Sequence, residues 1–136
     1  MKRLRELTWD DYGISKLRYK ELKNFCLQYQ EKKKKIQYGI SAINVDNSGG
    51  SSSPGNPTEN TALHNTRYMK DIQLIETCAR ETDIDLYPYI LKSVTENKTY
   101  NDIEYDEKFG KIPVGKTEFY AYRRRFYHLL NIKKYS

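Results

Sequence analysis

The stretch Pro113–Leu130, PVGKTEFYAYRRRFYHLL, puts three consecutive arginines and five aromatic residues in one run, and its reading decides the fold. Pro113 and Gly115 are turn material. From Lys116 onward the apolar residues recur at helical spacing, not in alternation. Phe119, Tyr122, Phe126, Leu129 and Leu130 share one face, which is expected to pack inward. Lys116, Thr117, Tyr120, Arg124 and Tyr127 lie along one flank, Glu118, Arg125 and His128 along another, and Arg123 borders the core beside Phe119. The segment reads as an amphipathic helix that packs on one side and presents cations on the others.

Just upstream, Thr99 followed three positions later by Asp102 has the spacing of a capping box. It starts a helix of two to three turns over YNDIEYDEKF, ended by Gly110. A short helix, a Gly/Pro turn and a longer basic helix is the order of a helix-turn-helix, although any αα-hairpin gives the same order. In DNA recognition the first residues of the second helix approach base edges, while Arg and Lys anchor phosphates or pair with guanine. On that reading Lys116, Thr117, Tyr120 and Arg124 face the bases, and Arg123, Arg125, Lys133 and Lys134 contact the backbone. The competing reading is a basic helix that meets a protein or RNA partner.

Toward the N-terminus, Thr8 with Asp11 starts about one helical turn that Gly13 stops. Ser15 then caps KLRYKELKNFCLQYQEKKKKI, expected as one helix with Leu22, Phe25, Cys26, Tyr29 and Ile36 on its apolar side and Lys32 to Lys35 as a solvated last turn. The text NVDNSGGSSSPG from Asn44 to Gly55 has the composition of a flexible linker. Asn56, Pro57 and Glu59 then supply an N-cap, an N1 proline and a capping-box acid. The helix they begin should run to about Thr82, burying Ala62, Leu63, Met69, Ile72, Ile75 and Cys78. A further short helix over IDLYPYILKSVT accommodates Pro88 in its first turn if Asp85 or Leu86 is the cap. Period-two alternation is absent, so the expected fold class is all-α: a helical bundle with a C-terminal helix-turn-helix-like unit and a flexible Ser/Gly-rich linker. The expected divisions are 1–43, an N-terminal helical segment; 44–56, the linker; 57–98, central helices; and 99–136, a DNA-binding unit.

Charge is distributed unevenly along the 136 residues, whose net charge is +6. Residues 1–38 carry 11 Lys/Arg against 5 Asp/Glu and residues 110–136 carry 7 against 1, whereas residues 83–109 carry 3 against 7. Basic ends around an acidic middle point to a polyanionic partner, nucleic acid first. The acidic middle suits either a basic surface on RNA polymerase or a second protomer, or plain internal charge balance.

The two cysteines, Cys26 and Cys78, lack the spacing of a zinc site or redox pair and read as reduced core residues. No signal-like or membrane-spanning run appears, so the chain is expected to be soluble and cytoplasmic, in a bacterial host cell. The two histidines, His64 and His128, read as surface or cap residues, and no P-loop, GxGxxG or HExxH is present. No enzyme, metal or cofactor is expected.

The small-residue linker leading into NPTENTAL (Asn56–Leu63), the long charged helix after it and the closing KTEFYAYRRRFYHLL (Lys116–Leu130) together cover about two thirds of the chain. They resemble the small phage and prophage regulators of the RinA and ArpU type, activators of late or packaging gene transcription whose C-terminal part looks like the DNA-binding region four of sigma factors. In that family pattern a Ser/Thr-rich turn leads into an aromatic and then a basic helix. Lys116, Thr117, Phe119, Tyr120, Arg123, Arg124 and Arg125 fall on those positions. The resemblance implies a transcriptional regulator that binds double-stranded DNA, with RNA polymerase and a second copy of the chain as further partners. Two other classes stay open: a small terminase-like packaging component, and a protein-binding inhibitor that uses its basic face.

Overall fold

The computed structural model describes the backbone of residues 2–36 and 56–135, with side chains for 2–36 and 65–135. Every regular element among them is helical, as the absence of alternation led one to expect. A 3-10 turn at Leu4–Glu6 precedes α1 (Lys16–Leu27); α2 comprises the helical residues 29–36; α3 is Asn56–Thr82, α4 Tyr87–Glu96, α5 Tyr100–Glu104 and α6 Lys116–Tyr135. The proposed linker at 44–56, apart from Asn56 itself, lies outside the described residues. So do the side chains of Asn56, Pro57, Glu59, Ala62, Leu63 and His64.

The local signals act where their chemistry requires. Thr8 and Asp11 exchange bonds, Thr8 N–H to Asp11 Oδ2 at 2.8 Å and Asp11 N–H to Thr8 Oγ1 at 3.2 Å. Gly13 then turns the chain at φ 69°, a left-handed conformation open to glycine at little cost. Ser15 Oγ accepts from the Arg18 amide at 3.1 Å and starts α1. The single long helix expected from Lys16 to Ile36 is instead broken at Gln28, whose amide bonds back to Phe25 O at 3.3 Å in a tightened last turn. Ahead of α4, Asp83 Oδ1 accepts from the Asp85 and Leu86 amides at 2.9 and 3.0 Å, which leaves Leu86 as N-cap and Pro88 in the first turn. Asn97 ends α4 in the left-handed region at φ 55°. The Thr99/Asp102 capping box forms in both directions, at 3.1 and 3.0 Å. The helix it starts covers only Tyr100–Glu104, shorter than expected, because residues 105–109 leave it in turns.

The C-terminal helix is the centre of the fold. α6 packs against α3, the N-terminal 3-10 turn, α1 and α4. The largest fully buried side chains are its own Tyr127, Phe119 and Phe126. Around them stand Leu22 and Cys26 of α1, Ile75 and Cys78 of α3, and Ile90 and Val94 of α4. Tyr127, expected on the outer flank, is instead buried: its ring meets Trp9 and Tyr19 at centroid distances of 6.0 and 5.3 Å. The N-terminal segment covers a second side of α6, and periodicity within α6 alone carries no trace of that cover. Met69, expected inside, is 45% exposed on α3. Lys32, expected in solvent, is 7% exposed and paired with Asp71 at 2.9 Å. Both cysteines are buried free thiols held protonated by burial, which pushes Cys78 up to about 12 and Cys26 upward as well.

Candidate nucleic-acid interface

The arginine run is split among three environments. Arg123 is half-buried, its guanidinium carbon 5.8 Å from the ring centroids of both Tyr120 and Tyr127. Its Nε is buried without a hydrogen-bond partner. Arg124 turns the other way and donates from Nε to Leu7 O at 3.0 Å and from Nη2 to Arg5 O at 3.3 Å. Arg125 is exposed, near Tyr12 and His128. None of the three forms an ion pair with a carboxylate among the described residues, whereas Lys2, Arg18, Lys32, Arg80, Lys92 and Lys133 all do. Among the described residues, then, the positive charge of the RRR run is not offset by an ion pair.

The other candidate residues sort in the same way. Lys116 and Thr117 are exposed in the first turn of α6. Tyr120 is drawn inward: its hydroxyl accepts from the Tyr100 amide at 3.1 Å and ties the start of α5 to α6. A second tie runs from the Tyr100 hydroxyl to Val114 O at 2.8 Å, and Ile112 N–H donates to Glu104 at 3.1 Å, so the turn 111–115 is pinned at both ends. Lys133 pairs with Glu81 of α3 at 3.2 Å. Lys134 lies over Phe25 at 4.3 Å, adding its charge to α1. Thus the structure leaves Lys116, Thr117 and Arg125 open to a partner and commits Tyr120, Arg124 and Lys133 to internal contacts.

Residues outside the notional reader contribute what sequence reading of α6 missed. Because Arg124 binds the carbonyls of Leu7 and Arg5, the N-terminal cations come alongside the C-terminal ones. Arg3, Arg5, Lys16 and Lys20 are all exposed. Arg18 lies over the Tyr135 ring at 3.8 Å, so α1 and the end of α6 also share a border. The charge counts of the two chain ends carried this signal, but not their adjacency. His128, read as a surface residue, is half-buried and stacks on Tyr12 at 4.4 Å with 24° between planes. Its buried environment, and after that Arg125, hold its pKa below the ordinary 6.5.

The acidic middle is largely spent on local structure. Asp83 and Asp102 accept at helix starts, Glu104 accepts from Ile112, and Glu96 and Asp106 pair with Lys92 at 3.5 and 3.4 Å. Two ion pairs to Lys92 and backbone hydrogen bonds thus engage five of its seven carboxylates, and Asp85 and Glu107 are exposed. Among the described residues there is no cluster of His, Cys, Asp or Glu able to hold a metal ion, and no helix long and apolar enough to cross a membrane. Compared with models of known families, with curated proteins and with solved structures, the chain matches none.

Proposed function

We propose that the protein is a non-enzymatic regulator that binds double-stranded DNA, of the phage late-transcription kind its sequence resembles. The side that meets DNA is where the N-terminal segment lies along α6, held there by Arg124. The observation that carries the reading is the convergence of the two basic ends, joined by Arg124 on the carbonyls of Leu7 and Arg5, with no carboxylate among the described residues paired with Arg123, Arg124 or Arg125. Uncompensated cations bordering one another favour a polyanion, because each phosphate contact releases condensed counterions.

The contact set differs from one drawn on a bare recognition helix. Lys116 and Thr117 are available to base edges or phosphates at the start of α6, and Arg125, Arg3 and Arg5 to phosphates. Arg124 positions the N-terminal segment, and Tyr120 fixes α5 on α6. Lys116→Ala and Arg125→Ala should each weaken duplex binding and lower the salt slope by about one unit. Lys98→Ala, exposed within the acidic stretch, should leave both unchanged. Equal effects of all three substitutions would mean diffuse charge attraction without the interface described.

A further inference from the structure

The chain has one tryptophan, Trp9, and it lines two clefts. One cleft, of about 390 Å³, is walled by Trp9, Ile14 and Tyr19, with the charged Asp10 and Lys16 also lining it. The other, of about 210 Å³, is formed by Trp9, Tyr19, Tyr120, Arg123 and Arg124. The rings of Trp9 and Tyr19 are 4.7 Å apart at 45°, both half-buried, and both border each cleft. Tyr127 backs the pair from the core.

The second cleft holds charge that no carboxylate among the described residues pairs with. Among the described residues Arg123 has neither a carboxylate partner nor a hydrogen bond for its buried Nε. Arg124 spends Nε and Nη2 on backbone carbonyls, and its Nη1 forms no hydrogen bond among the described residues. Two guanidinium groups beside three aromatic rings suit an anion that carries a flat ring, since arginine takes phosphate oxygens in a fork and aromatic faces take a base by stacking.

We propose that the paired clefts bind one nucleotide unit, with its phosphate on Arg123 and on the Nη1 that Arg124 keeps free of its backbone contacts, and its base against Trp9 and Tyr19. The division of the site favours this ligand. A nucleotide separates base from phosphate by a sugar, matching a mainly apolar cleft and a cationic one that share the ring pair of Trp9 and Tyr19. A phosphorylated tyrosine joins ring and phosphate directly and fits that division less well. The proposal rests on the nucleic-acid reading above and names what the site takes: an unpaired nucleotide of a strand, or the same unit free as a nucleoside monophosphate.

Trp9 is its own reporter. Thymidine 5′-monophosphate, a 5′-phosphorylated oligothymidylate of eight residues, inorganic phosphate, phosphotyrosine and a short duplex are each titrated into the full chain while Trp9 emission is followed. The expected result is saturable quenching by the oligothymidylate. It should be weakened at least tenfold in Arg123→Gln, with unchanged helical content; Arg123→Lys, which keeps the charge and loses the fork, serves if that variant fails to fold. Equal affinity for the free monophosphate supports a free nucleotide as ligand, and much tighter binding of the oligothymidylate supports a strand. Quenching by phosphate or phosphotyrosine as strong as by the nucleotides overturns the proposal, as does quenching that survives Arg123→Gln and Arg123→Lys unchanged. Duplex binding with unaltered Trp9 emission in every other titration overturns the nucleotide site and leaves the DNA reading standing. Absence of binding to any nucleic acid removes both.

Discussion

Arg124 Nε donates to the carbonyl of Leu7 at 3.0 Å, across 117 positions of sequence, so the middle arginine of the RRR run holds the N-terminal segment against α6. A residue that looked free to reach DNA is a structural fastener, and the fastening brings the chain's two basic ends together.

Arg124→Ala therefore costs stability. Hydrogen bonds from a charged donor contribute about 1.5–3 kcal/mol when sheltered; because the bond to Arg5 is exposed, about 1.5 kcal/mol is expected for the pair. Amide exchange at Glu6, now bonded to Arg3 O, should accelerate in the same variant. Arg125→Ala, on the exposed side, should shift stability by less than about 0.5 kcal/mol. Urea unfolding of the two variants checks the contrast, and equal losses would contradict the assignment of Arg124.

The Lys32–Asp71 pair should respond asymmetrically. Lys32 is 7% exposed, with Nζ 2.9 Å from Asp71 and 4.3 Å from the Phe25 ring centroid. Asp71→Ala strands a buried ammonium and should cost about 2 kcal/mol, below the about 3–5 kcal/mol of a fully buried pair because water reaches the carboxylate. Lys32→Met keeps the packed stem and leaves only a hydratable carboxylate, so less than about 1 kcal/mol is expected. The reverse order in denaturant midpoints would show that the pair is not held by burial of the lysine.

Much of this fold is legible in the sequence because its signals are local. The Ser15 cap, the Thr99/Asp102 box, the end of α3 at Thr82 and the proline-bearing start of α4 each depend on residues within one turn of each other. What sequence reading misplaces depends on partners far along the chain. Tyr127 is buried by Trp9 and Tyr19, Arg124 is claimed by Leu7, and Lys32 is paired with Asp71. An amphipathic pattern reports the side of α6 that meets the bundle. It is silent on the second cover laid over α6 by the N-terminal turn, because polar Arg124 bonds to backbone there and leaves no apolar stripe. The candidate site was legible as charge at two ends, while the pairing of Trp9 with Arg123 and Arg124 across one cleft was not.

Stability should fall as pH drops below 6.5. His128 is stacked on Tyr12 beside Arg125, and its pKa in the fold lies below 6.5, so the unfolded chain takes up its proton first. The stabilising contribution is complete above pH 6.5 and is lost as pH falls through the folded value. Asp11, Asp102 and Asp106 are lowered from 3.8, chiefly by backbone hydrogen bonds from Thr8, Thr99 and Lys108, so their contribution is lost only below 3.8. The two windows separate. Urea midpoints between about pH 7.5 and about pH 5 should decline in the natural chain and stay level in His128→Gln; a parallel decline in both would exclude His128 as the cause.

The most direct test of the central claim, that the joined basic ends form a DNA-binding surface, is the affinity of the purified chain for a panel of short duplexes across a salt series. Tight binding at low salt is expected, with log K falling linearly with log salt at a slope of several units and one duplex preferred near physiological salt. Absence of duplex binding even at low salt would contradict it and make the exposed cations of α6 and the N-terminal segment a protein-facing surface.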